Sequence, residues 1–297
     1  MKIIILFVGF ETAIETESPT RPHALLNLAG STILGHILRQ LADVLDNEII
    51  MVVTAAQQSA FAPWLAQHFP NLTVQFVVQK ASVSCGHALQ GCAERLHADD
   101  LLLVAGYSIV ETNFTQLPVI ALDNNATAVW VTDNQNEKTA GICWLQKGST
   151  LPTQAIQQFD ELLAALQADG VTVATTTASF NLDTRTTAGY FYANRRLLGL
   201  GYGSPDAIER SYADDFTLFP PVFIHATAVV ESAVIGPFVN IEAGATVRNS
   251  IIKNSFIDAN AQIEAAILTD SMIGEDAQVN GRVHTIVLQD KDSINLD

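Results

Sequence analysis

Residues 224–230 read IHATAVV, 241–247 read IEAGATV, 257–263 read IDANAQI and 273–279 read IGEDAQV. Each copy begins and ends on an aliphatic residue and carries alanine at its fifth place, at Ala228, Ala245, Ala261 and Ala277. Ile235, Ile251 and Ile267 take equivalent places between the copies. Aliphatic residues six apart, inside a larger period of about three such hexads, mark a parallel β-helix whose coils stack one continuous apolar core. An ordinary antiparallel sheet has no reason to keep so long a fixed period. Residues 222–297 therefore read as a β-helix domain.

Ahead of it, residues 201–221 hold Gly and Pro at both ends and read as a linker. Residues 1–200 have another rhythm. Short aliphatic runs at 3–8, 48–54, 73–78 and 101–105 alternate with segments at 32–44, 57–69 and 86–96 whose apolar residues recur at three and four. Further strands are expected at 126–132, 140–145 and 171–177, and helices at 155–168 and 185–198. Strand and helix in alternation predict an α/β domain built on a doubly wound sheet, and ligands of such sheets sit beyond the carboxyl ends of the strands.

The chain has 297 residues, 48% of them hydrophobic, enough for one large domain or two ordinary ones. Its net charge is −16, so a polyanion such as nucleic acid meets a repulsive average field. Cys85, Cys92 and Cys143 show no metal-ligand spacing and cannot all pair internally, which points to reduced, buried thiols in a cytoplasm. Lys2 before a short apolar run lacks the cleavage site of a secretory signal, and no run approaches the length of a membrane span.

Six phrases, in order along the chain, carry a resemblance to a known family. Residues 6–34, LFVGFETAIETESPTRPHALLNLAGSTIL, follow the opening strand and Gly-rich loop LAAGxGTRLxPLTxxxPKALLPVAGKPIL almost place for place. VVQKASVSCGHAL (77–89), LLLVAGYSI (101–109), TAGICWL (139–145), FNLDTRTTAGYFYANRRLL (180–198) and VRNSII (247–252) match the later ones. Together they resemble the sugar-1-phosphate nucleotidyltransferases that end in a left-handed β-helix of hexapeptide repeats. The resemblance implies a Rossmann-like mixed sheet followed by that β-helix. It also implies transfer of a nucleotidyl group from a nucleoside triphosphate to a sugar-1-phosphate, with Mg²⁺ and release of pyrophosphate.

The charged positions of the motifs are changed. The loop's second Gly falls on Glu11, its Arg on Ala13, and the Lys that follows on His23, which at an ordinary pKa is largely neutral at pH 7. A metal carboxylate falls on Tyr107, and a neutral phenol is a poor ligand for Mg²⁺. The nucleobase Gly-Thr pair falls on Ser84 and Cys85. Gly9, Glu11, Arg21, Gln79, Gly106 and Gly141 are the candidates for nucleotide or sugar binding. Asp183 matches the second metal carboxylate, with Arg185 beside it able to pair with it instead; its alternative role is a helix N-cap. Lys138 lies too close to Gly141 to match a sugar-phosphate Lys.

Loss of one preorganised electrostatic group costs on the order of 3 kcal/mol in the transition state, and here an Arg, a Lys and a metal carboxylate are all replaced. The expectation is a catalytically degenerate relative kept as a binding, regulatory or scaffold subunit, self-associated or joined to an active homologue. Alternatives are an active nucleotidyltransferase that uses Asp183, Arg21 and His23, an acyltransferase with His225 or His284 as base, and thiol chemistry at Cys85 beside His87.

Overall fold

The computed structural model describes residues 1–8, 10, 12, 14, 21–80, 84–92, 99–133, 138–149, 156–203 and 216–281. The chain divides into two compact units, Met1–Asn194 and Arg195–Asp297.

In chain order the first part contains β1 (Lys2–Leu6), β2 (Asn27–Leu28), β3 (Ser31–Thr32), α1 (Ile33–Gln40), β4 (Glu48–Thr54), α2 (Ala55–His68), β5 (Val74–Gln79), α3 (Cys85–Gln90), β6 (Leu101–Ala105), β7 (Ser108–Glu111), α4 (Leu117–Asp123), β8 (Ala128–Thr132), β9 (Thr139–Leu145), α5 (Leu162–Ala168), β10 (Val173–Thr177), β11 (Phe180–Asp183) and α6 (Thr187–Gly199). Seven strands form one sheet in the order β10-β8-β9-β6-β1-β4-β5. β9 is antiparallel to β6 and β8, and the other pairings are parallel. The central strands are buried on both faces, which is why they read as unbroken aliphatic runs and not as alternations. Strand order reverses at β1, with β4 on one side and β6 on the other. The carboxyl ends of β1 and β6 therefore flank the crevice in which such sheets hold ligands.

Several elements depart from the sequence reading. The helix expected at 32–44 is α1 followed by a 3₁₀ turn at Ala42–Val44, and that at 155–168 is α5 preceded by a 3₁₀ turn at Phe159–Glu161. α3 ends at Gln90, and 93–98 lie outside the described residues. α4 and the short pairs β2–β3 and β7–β11 have no counterpart in the sequence reading. β7 and β11 pair antiparallel with Ser108 opposite Asp183 and Glu111 opposite Phe180. That pairing sets the turn after β6 beside the turn after β11, and the candidate site is built there.

In the second unit, three columns of short parallel strands stack in register. Leu218, Ile235, Ile252 and Leu268 form one inward column, Ile224, Ile241, Ile257 and Ile273 a second, and Val230, Val247, Ile263 and Val279 the third. Ala245 and Ala261, two of the fifth-place alanines, are fully buried because only a small side chain fits at the coil corner. This is the expected left-handed parallel β-helix. Two details are corrected. Ile235 is not equivalent to Ile251 and Ile267: the register steps by 17 residues there, so Ile235 aligns with Ile252, and Ile251 and Ile267 face outward. Thr217–Leu218 already pairs with Val234–Ile235, so the stack begins inside the stretch expected as a linker.

Candidate functional site

Phe7 and Val8 continue β1 into the crevice and are both buried. The Phe7 ring packs edge-on against Phe61, with centroids 4.9 Å apart, and lies over Gly106 at the end of β6. A Cβ at Gly106 would stand 2.4 Å from Phe7 Cδ1 and 2.7 Å from the Leu6 carbonyl oxygen, so Gly106 is required by packing. Phe10 packs edge-on against Tyr107 at 4.8 Å. Beside these rings lies a cavity of about 190 Å³ lined by Phe7, Val8, Phe10, His23, Thr54 and Gln57, among others. Thr54 caps α2 in a capping box, its hydroxyl accepting from Gln57 N–H and its own N–H donating to Gln57 Oε1, and Gln57 Nε2 donates to the Phe7 carbonyl at 3.0 Å, which fixes one wall. Gly9, Glu11 and Ala13 lie outside the described residues.

Tyr107 is buried in the turn between β6 and β7. Arg185 stacks on its ring, with Cζ 4.1 Å from the centroid, and its hydroxyl donates to Asp160 Oδ1 at 3.3 Å. Burial pushes the phenol pKa up, against the pull of Arg185, and the nearby carboxylates push it further; Tyr107 stays neutral. Arg185 Nη2 donates to Asp183 Oδ2 at 2.7 Å, and Nε donates to Oδ1 at 3.1 Å and Oδ2 at 3.0 Å. The Arg185 backbone N–H adds a bond to Oδ1 at 2.9 Å. Asp160 Oδ2 lies 3.7 Å from the same Nη2. The N-cap of α6 is not Asp183 but Thr186, whose hydroxyl accepts from Gly189 N–H at 3.0 Å. Gly189 itself lets the first turn of α6 rest against the Asp183 carbonyl.

His23 begins a 3₁₀ turn, and its Nε2 lies 2.8 Å from the carbonyl oxygen of Thr184. A carbonyl only accepts, so Nε2 carries the proton and Nδ1 is the bare nitrogen, buried without a partner. Desolvation lowers the pKa below that of an ordinary histidine, although the Thr184 bond and Asp183 act the other way.

The chain matches no family model. Over 104 residues it is 31% identical to the bifunctional protein GlmU of Paracidovorax citrulli (strain AAC00-1), a match covering 35% of this chain and 21% of that protein. The match thus takes in only about a fifth of the curated relative's length. Crystal structures of HddC from Yersinia pseudotuberculosis superpose on 66% of this chain and 99% of their own at 14% identity, with a TM-score of 0.51, or 0.50 for the form complexed with GMP-PN. A protein of Bacillus anthracis provisionally assigned as a glucose-1-phosphate thymidylyltransferase, in complex with a sucrose, gives 0.51 at 15% identity over 65% of this chain and 93% of its own. The fold is that of the sugar-1-phosphate nucleotidyltransferases with a hexapeptide-repeat β-helix.

Against the nucleotidyltransferase pattern, the remaining candidates have local roles. Gly141 adopts φ +72°, and a Cβ there would stand 2.7 Å from Ser108 Oγ and 2.9 Å from Ala105 Cβ. The Gln79 amide folds over Gly91 at the end of α3. Arg21 Nε donates to the Leu25 carbonyl at 3.4 Å. Lys138 is exposed beside β9, its N–H near Asp133. Burial, with Glu161 and Asp160 nearby, pushes the Cys85 thiol up to about 12, and all three cysteines are buried outside any disulfide, so Cys85 is a poor nucleophile. His225 Nδ1 accepts from Thr227 N–H at 3.2 Å, a turn contact in a β-helix coil, and His284 lies outside the described residues.

The nucleotidyltransferase pattern implies Mg²⁺, and the residues present do not fit it. Mg²⁺ takes hard, mostly anionic oxygens in near-octahedral geometry. Tyr107 offers a neutral phenol, and Asp183 is already bonded to Arg185. Among the described residues no group of three or more His, Cys, Asp or Glu is placed to hold a metal ion. Asp160 and Phe10 are the site residues that sequence reading missed. Asp160 stands 23 positions before Asp183 in an ordinary helix-start phrase, FDELL, and the two meet only in the fold, around Tyr107 and Arg185.

Proposed function

We propose that this protein is a nucleotidyltransferase-like binding, regulatory or scaffold subunit of the cytoplasm that no longer performs nucleotidyl transfer. The observation that carries this reading is aromatic packing at the carboxyl ends of β1 and β6, where Phe7 lies over Gly106 and Phe10 rests on Tyr107. Ligand pockets usually measure about 300–1,000 Å³, and the cavity described beside these rings is about 190 Å³. The chemistry agrees: His23 is neutral where the resemblance implies a Lys, and transfer of this kind depends on positioning and charge neutralisation. A nucleotide or sugar phosphate then binds weakly and without Mg²⁺. The β-helix serves self-association or pairing with an active homologue.

The test is pyrophosphate release from each common nucleoside triphosphate with a panel of sugar-1-phosphates and Mg²⁺, beside an intact nucleotidyltransferase. The expected result is none above background. Release within about a hundredfold of the control would overturn the reading and favour an active enzyme with substitute groups. Tight, Mg²⁺-dependent nucleotide binding by calorimetry would count against it as well.

A further inference from the structure

We propose that Arg185 is a resident counter-ion for Asp183 and Asp160, standing in for a divalent ion, so that the crevice keeps its charge balance and its shape without a metal. An ionised carboxylate has about four lone-pair sites. Among the described residues, Asp183 accepts three hydrogen bonds, all from Arg185: the single Nε–H shared between both carboxylate oxygens, one from Nη2 to Oδ2 and one from the backbone N–H to Oδ1. Both oxygens are thus engaged on one edge, so a metal ion that took that edge of the carboxylate would displace the guanidinium.

The same guanidinium joins three segments. It sits two positions after Asp183, reaches Asp160 in the 3₁₀ turn before α5, and lies flat on Tyr107 in the turn after β6. Tyr107 in turn bonds Asp160 and supports Phe10 from the opening loop. A planar fork that binds a carboxylate edge-on and an aromatic ring face-on is particular to arginine. Because the cation is part of the chain, it does not dissociate. A divalent ion would have to shed water and break an intramolecular pair to enter, and Mg²⁺ dehydrates reluctantly. Asp160 and Asp183 with Arg185 leave a net charge of −1, which also disfavours a phosphate. The inference is independent of the binding-subunit reading, since an active enzyme with this arrangement would equally work without a metal at Asp183.

Mn²⁺ is the probe, its free fraction read by electron paramagnetic resonance on the full-length protein, with thermal unfolding to confirm the fold. Wild type is expected to leave Mn²⁺ free. Arg185→Gly is expected to gain affinity by about tenfold or more as carboxylate charge is released, and Arg185→Gly with Asp183→Asn to lose that gain. Arg185→Lys, which keeps a charge without the fork, is expected to show a smaller gain and decides the matter if the glycine variant does not fold. Mn²⁺ binding by wild type that disappears in Asp183→Asn would overturn the proposal. So would folded Arg185 variants with no gain.

Discussion

The imidazole of His23 donates from Nε2 to the carbonyl oxygen of Thr184 at 2.8 Å, and Thr184 donates from both its hydroxyl and its N–H to the Tyr107 carbonyl, at 2.8 and 3.0 Å. One hydrogen-bonded path thus links the segment before α1, the end of β11 and the turn after β6. It also fixes the tautomer. His23 is expected to show an Nε2–H imidazole by ¹⁵N NMR and a titration midpoint below 6.5, because burial outweighs the favourable Thr184 bond. A midpoint at or above 6.5 would make His23 a phosphate-binding cation near neutral pH and remove a support of the proposed function.

His36 provides a stability test away from the crevice. It is buried in α1, its Nε2 lies 2.7 Å from the Leu28 carbonyl oxygen, and desolvation lowers its pKa to about 4. The folded state resists a proton that the unfolded chain accepts below about 6.5. Stability from this group is therefore complete above that value and is lost as the pH falls toward 4. Carboxylates also titrate in this range, so the comparison is with His36→Gln. Between pH 7 and 4.5 wild type is expected to lose about 2–3 kcal/mol more than the variant in urea unfolding. Equal losses would mean that His36 is charged in the fold.

The hexads fixed the β-helix because every coil needs an aliphatic residue at the same inward place, and a packing demand repeated four times leaves a periodic trace. The central strands were readable for a similar reason: burial on both faces leaves no polar position to interrupt Ile3–Ile5 or Ile49–Val53. The site was half readable. The pairing of Asp183 with Arg185 could be anticipated because the two are neighbours in sequence. Asp160 and Phe10 could not, because Asp160 reaches Tyr107 from a 3₁₀ turn packed on β9, more than fifty positions along the chain, and Phe10 reaches it from the opposite end of the domain sequence. Ile251 was misread because it and Ile252 are both isoleucine, and hydropathy does not reveal which one faces inward.

Gly106 and Gly141 occupy motif positions of a binding site, yet their surroundings assign both to packing. Gly106→Ala would press a methyl into the Phe7 ring and the Leu6 carbonyl, and overpacking of a filled core costs about 1–3 kcal/mol. Gly141→Ala meets Ser108 and Ala105 and adds a left-handed backbone worth about 1–2 kcal/mol. Both variants are expected to unfold at lower urea, Gly141→Ala at the lowest. Wild-type stability in either one would mean that the carboxyl ends of β1 and β6 and the amino end of β9 are looser than this packing requires.

Ile251 and Ile252 test the register of the β-helix with adjacent, identical residues. Ile252 is fully buried between Ile235 and Leu268, whereas Ile251 is 47% exposed in the outward column with Val234 and Ile267. Ile252→Ala should open a cavity that neighbouring rungs cannot close, at about 2–5 kcal/mol. Ile251→Ala removes a half-solvated side chain from a strand surface and should cost about 1 kcal/mol or less. Unfolding followed by far-ultraviolet circular dichroism separates the two. A reversed order would mean that the strand is shifted by one residue. Because side chains alternate between faces, that shift would turn the whole Ile251–Lys253 strand inside out.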